Sequence, residues 1–154
     1  MGIRLKHLWL GLSALPGLLS SRRQRLLLRE MRALSRQLPQ IMQLALPQAM
    51  QRLAPCSDKI EMDEGDVRRL ADFAALLERN SPLGFCLRRS LLRYHFLGRA
   101  GIPLGVAFGA RRREGTAQRT IAGHAWVTLE DRPYCEADEH WRDYHVVYRW
   151  PQGE

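Results

Sequence analysis

The chain reads as an α+β protein, and three observations carry that reading. Apolar residues recur at spacings of three and four through the first half, the period of an amphipathic helix. Pro82 and Gly84 close one segment just before an apolar-periodic run that opens at Cys86. From Leu104 onward the pattern changes to short alternating runs separated by turn residues, which is the signature of strands.

Each element follows from its own residues. Between about Leu8 and Leu53, Leu26, Leu27, Met31, Leu34, Leu38, Ile41, Met42, Ala45 and Met50 mark helical packing, with Pro39 and Pro47 expected to kink or split it into two or three helices. The methionines in this stripe suit core or partner-facing contacts. Pro55-Cys56-Ser57-Asp58 reads as a loop. Asp63-Glu64-Gly65-Asp66 places acids where a helix start favours them. Val67, Leu70, Phe73, Ala74 and Leu77 then form one apolar face that ends near Asn80. A helix from about Cys86 to Gly98 turns Leu87, Leu91, Tyr94 and Leu97 or Phe96 inward, and Gly98, Gly101 and Pro103 stop it. Leu104 to Ala110 is a strand, Arg111 to Gln118 a polar connection, Thr120 to Leu129 a second strand, Glu130-Asp131 a turn and Arg132 to Ala137 a third strand. Pro133 suits an edge or a strand start. Tyr144 to Trp150 alternates as a further strand that closes the sheet. Residues 1–80 therefore read as a helical region packing on the core or on a partner, and 81–154 as the core itself, together one structural domain.

Of the 154 residues, 24 are Lys or Arg against 16 Asp or Glu, a net charge of +8. Arg22-Arg23, Arg88-Arg89 and Arg111-Arg112-Arg113 are separate clusters. Such charge suits an acidic partner or a solvated arginine-rich surface. Three cysteines, Cys56, Cys86 and Cys135, have no CxxC spacing, which argues against a disulfide framework or zinc site and for a reducing, cytoplasmic setting. His140 and His145 beside Trp141 and Tyr144 read as packing or surface, so no metal and no cofactor is expected. The stretch from Leu8 to Leu19 follows Arg4, Lys6 and His7 but is broken by Pro16-Gly17 and lacks a small-x-small cleavage site. It is too short to span a bilayer. It reads as a packing or interfacial segment able to associate weakly with a membrane surface.

Cys86 sits where a nucleophile would be placed. The first turn of a helix leaves N–H groups unpaired and carries partial positive charge, which favours a thiolate. Cys86 supplies the nucleophile and its own N–H as an oxyanion donor. His124, in Gly123-His124-Ala125-Trp126-Val127, supplies a base on a strand facing that helix. If Glu130 and Asp131 are the two turn residues, Leu129 faces Arg132 and His124 lies opposite Ala137. Glu136 and Asp138 flank Ala137, and either can orient the far imidazole nitrogen; a slip of one residue changes which faces the site.

These residues resemble a known family. Cys86-Leu87-Arg88-Arg89-Ser90-Leu91, then Gly101-Ile102-Pro103, then Gly123-His124-Ala125-Trp126-Val127 are similar to the transglutaminase-like cysteine peptidases that remove leader peptides in lasso peptide biosynthesis. Ala14-Leu15-Pro16 and the following Leu/Arg-rich stretch fit the same family. The resemblance implies a transglutaminase-like or papain-like core, a cysteine at a helix N-terminus packed on a small antiparallel sheet, behind a helical N-terminal region. It implies Cys86 as nucleophile and His124 as base. The family's third member is an aspartate about twelve residues after the histidine; Glu136 stands there, and Asp138 is the other candidate. Gly123 replaces a frequent alanine. The implied substrate is a ribosomally made precursor peptide, and the implied partners are a separate winged-helix leader-recognition protein and an ATP-dependent macrolactam cyclase. Two other readings stand beside this one. A transglutaminase-like acyl transferase would pass the same thioester to an amine. A non-enzymatic basic module would bind an acidic protein or nucleic acid through the arginine clusters, although no nucleic-acid motif is present and no nucleic-acid partner is expected.

Overall fold

A computed structural model describes residues 21–112 and 120–151. Among the described residues, four helices accompany a four-stranded antiparallel sheet, and the last of them packs on it. The Leu8–Leu19 segment and most of the Arg111–Gln118 connection lie outside the described residues.

Helix α1 spans Arg22–Ile41, with the Ser21 hydroxyl accepting the Gln24 N–H at 3.3 Å as N-cap. Its inward stripe is Leu27, Met31, Ser35, Leu38 and Ile41. Neither proline breaks a helix interior. Pro39 stays inside α1 two residues before its end, and Pro47 falls in the first turn of α2, Leu46–Arg52, where its missing N–H would have had no partner. Helix α3, Glu64–Leu77, is capped by Asp63, whose carboxylate accepts the Asp66 N–H at 3.3 Å. Its buried stripe is Val67, Leu70, Ala71, Ala74 and Ala75. The expected face shifts: Ala71 and Ala75 join the buried stripe, Phe73 is only half-buried, and Leu77, the last residue of the helix, is exposed. Helix α4, Phe85–Arg99, starts after Gly84 and buries both Phe96 and Leu97.

The three long helices pack as one layer. Gln24 meets Asp66, and Arg32 and Arg36 both reach Glu78, so α1 and α3 run parallel. Arg93 meets Asp72 and Arg88 reaches the Glu78 carbonyl, so α4 runs antiparallel to them. The segment between α2 and α3 crosses the end of α4. His95 Nδ1 donates to the Leu53 carbonyl at 3.1 Å, and the Ile60 N–H bonds the Arg99 carbonyl at 3.0 Å. A Cβ added at Gly98 would lie 2.2 Å from Pro55 Cγ. Gly98→Ala is therefore expected to destabilise the protein by about 1–3 kcal/mol. Helix propensity alone would stabilise it by about 1 kcal/mol, so the sign of the shift in urea midpoint checks this packing.

Strand β1, Leu104–Arg112, pairs antiparallel with β2, Ile121–Leu129. Glu130 and Asp131 both take left-handed backbone, φ 49 and 62, which makes a tight hairpin of the kind whose twist matches its strands. Leu129 faces Arg132 as its length predicts. Strand β3 is much shorter than expected. It covers only Arg132–Pro133, with one further bond from the Tyr134 N–H to the Val127 carbonyl at 2.9 Å. Cys135, at φ 52, then turns the chain off the sheet, so His124 has no partner at Ala137. Strand β4, His145–Trp150, pairs with β1 on its other side and completes the order β3-β2-β1-β4.

The two faces of the sheet differ. Leu104, Val106 and Val127 join the helical core. The alternate positions carry His124, Trp126 and Thr128 on β2 opposite Gly109, Ala107 and Gly105 on β1. Gly109 is required there: a Cβ would lie 2.8 Å from the Trp126 ring and 2.9 Å from Tyr144 Cβ.

Candidate active site

Cys86 lies in the first turn of α4 and is half-buried. The first intrahelical bond runs from the Arg88 N–H to the Gly84 carbonyl at 3.2 Å, so the Cys86 N–H points out of the open helix end. Cys86, Arg89, Ser90 and Arg93 are spaced to share one helix face. That face meets the outer edge of β2 and the segment following β3. Ser90 donates to the Ala125 carbonyl at 2.8 Å, next to His124. Arg89 ion-pairs with Glu136 and places its guanidinium over the Phe85 ring. Arg93 bonds the Cys135 carbonyl at 3.3 Å and Glu136 at 3.4 Å.

His124 is stacked on Trp126, with ring centroids 5.8 Å apart, and tilted against Tyr144 at 5.1 Å. The Arg111 guanidinium lies over the Tyr144 ring, 4.7 Å from its centroid. The imidazole Nε2 is buried and has no hydrogen-bond partner among the described residues. Burial, and then the like charges of Arg89, His140 and Arg111, hold the His124 pKa down at about 4. At neutral pH the ring is therefore uncharged and able to accept a proton.

The two acids part company. The Glu136 side chain is 1% exposed, and its carboxylate is held by Arg89 and Arg93, with His140 Nδ1 3.8 Å away. Asp138 is 56% exposed and pairs with Arg142 on the next turn. Neither is hydrogen-bonded to His124 among the described residues. The structure thus joins the Cys86 helix to the His124 strand and brings Glu136 beneath the same helix face, while Asp138 faces solvent. The three cysteines are free thiols. Among the described residues no group of three His, Cys, Asp or Glu is placed to hold a metal ion, and no helix is long and apolar enough to cross a membrane.

Sequence reasoning quoted Ser90 within the Cys86 motif without a role, read Tyr144 as packing or surface, and did not single out Arg93 or Asp72. Helical spacing from Cys86 points to Ser90 and Arg93 once the helix start is placed. Asp72 is a charged residue inside an apolar stripe, which is the usual sign of a buried pair.

Protonation of His124 carries a stability consequence. The unfolded imidazole titrates near 6.5, so between about pH 6.5 and 4 the unfolded chain binds a proton that the folded chain refuses. Stability falls as pH drops through that window. The unfolding midpoint is expected to decline over this range, and His124→Gln to lose part of the slope, as measured by denaturant titrations at successive pH values.

The family model of the transglutaminase-like superfamily matches residues 12–149. No curated protein and no solved structure matches the chain.

Proposed function

This chain belongs to the transglutaminase-like superfamily, and from that premise we propose that it is a cysteine peptidase that removes the leader from a ribosomally synthesised precursor in lasso peptide maturation. The observation that supports this reading is a half-buried cysteine at an open helix start, tied through Ser90 to the strand bearing an uncharged histidine.

The chemistry follows from those groups. His124 takes the Cys86 proton as sulfur attacks the carbonyl carbon at the leader–core junction. The developing oxyanion meets the Cys86 N–H at the helix start. The imidazolium returns its proton to the departing core amine, the C–N bond breaks, and the leader remains as a thioester. Water, deprotonated by His124, then releases the leader acid and restores the thiol. Glu136, held against the Cys86 helix by Arg89 and Arg93, is one candidate for orienting this pair, and Asp138 the alternative. The precursor would be delivered by a separate winged-helix leader-binding protein, and the freed amine passed to an ATP-dependent cyclase. The basic surface provides docking area for such partners.

Mass spectrometry of a candidate precursor incubated with the protein and its leader-binding partner tests the proposal. Two fragments whose masses sum to precursor plus one water support hydrolysis. A leader mass increased by an added amine, less one water, shows transfer instead, through the same thioester. An intact precursor, with the partner shown to bind the leader, counts against both.

A further inference from the structure

The β2–β3 ladder ends early, and its last bond is accepted by Val127. Two residues back along the same edge, the Ala125 carbonyl points where β3 would have continued. Ala125 is 2% exposed, so that acceptor has little access to water. Ser90, fully buried, fills the position with its hydroxyl at 2.8 Å. A serine within a helix commonly bonds back to the carbonyl four residues earlier, which here belongs to Cys86. Ser90 instead reaches across to another element.

We infer that Ser90 is the positioning residue of the Cys86–His124 pair, an inference that rests on the cysteine-nucleophile reading above. It stands one turn beyond Cys86 on the same face, and its acceptor follows His124 directly in the chain. Where apolar packing brings helix and strand together, this hydrogen bond ties them at the site itself, across a span of one helical turn and one residue. The interaction does not touch substrate; it acts by holding two groups that do. Reacting groups displaced by about 1 Å lose as much as a hundredfold in rate. Ser35 is a built-in control: it is also fully buried in a helix, but its hydroxyl has no partner among the described residues.

The test is hydrolysis of p-nitrophenyl acetate by the full chain, which needs neither precursor nor partner. Ser90→Ala is expected to lower the Cys86-dependent kcat roughly tenfold while KM stays within about twofold. Ser90→Thr, which keeps a hydroxyl, is expected to recover part of the loss, and Ser35→Ala to leave kcat unchanged. Wild-type kcat in Ser90→Ala, with wild type well above Cys86→Ala, overturns the Ser90 inference alone. A folded Ser90→Thr as slow as the alanine variant overturns it too. Equal rates for wild type and Cys86→Ala overturn the nucleophile reading, and the role of Ser90 with it.

Discussion

Cys86→Ala is expected to lower precursor cleavage by roughly 10⁴-fold or more, since loss of a nucleophile removes the covalent path entirely. The fold should survive. The side chain is half-buried, opens a helix whose cap makes no side-chain bond, and exchanges for a residue of high helix propensity. Far-UV circular dichroism and the unfolding midpoint should therefore match wild type, and the loss should appear in kcat. The same assay separates the two acids. Asp138→Asn leaves stability unchanged because the carboxylate is exposed, so any loss of activity there reports chemistry. Glu136→Gln weakens two buried arginine contacts at once, so its activity must be read against its stability. Retained cleavage by Cys86→Ala would remove thioester chemistry from the proposal.

The second large effect is on stability. Asp72 accepts two bonds from Arg93, both at 2.7 Å, and Arg93 continues to Glu136, which also meets Arg89. Asp72 and Arg93 side chains are each only about one-twentieth exposed. Burial pushes the Arg93 pKa down, but the bonds to Asp72 and the charge of Glu136 outweigh it and raise the net value. Removing one partner strands a buried charge. Arg93→Leu is expected to cost about 3–5 kcal/mol, lowering Tm by roughly 10 °C or more for a chain of this size. The double replacement Asp72→Leu with Arg93→Leu should cost less than the single one, because no unpaired carboxylate is left on α3. A thermal-melt double-mutant cycle reads the coupling directly. Additive losses would show that the pair does not act as a unit.

The residues disclosed the helices well because each carries several signals that agree. Asp63 with its following acids, the Gly84 start and the Gly101 stop act locally, and the observed ends fall close to where they point. The hairpin register was equally legible, since a two-residue turn leaves one alignment. The length of β3 was not. Alternation persists past Pro133, but Cys135 takes a left-handed backbone that its residue type does not announce. The site divides along the same line. Cys86 and His124 are visible as residue types in characteristic positions. The partners of Glu136 depend on guanidinium groups arriving from α4, and a pairing across forty residues has no local signature.

Four of the polar anchors that hold α4 leave it on different sides. Arg88 reaches the Glu78 carbonyl, Ser90 the Ala125 carbonyl, Arg93 the Asp72 carboxylate and Arg99 both Glu30 and Asp58. Turning the helix about its axis, or sliding it by one residue, would break all four together. Cys86 thus rides on a part of the molecule with essentially one mechanical setting. The facing segment, residues 134–144, contains one short 3-10 turn, Asp138–His140, has few ladder bonds, and is held to α4 through the buried Glu136 side chain. On the proposed reading, substitutions in that segment are expected to change which peptides enter, and substitutions within α4 how fast an admitted peptide reacts.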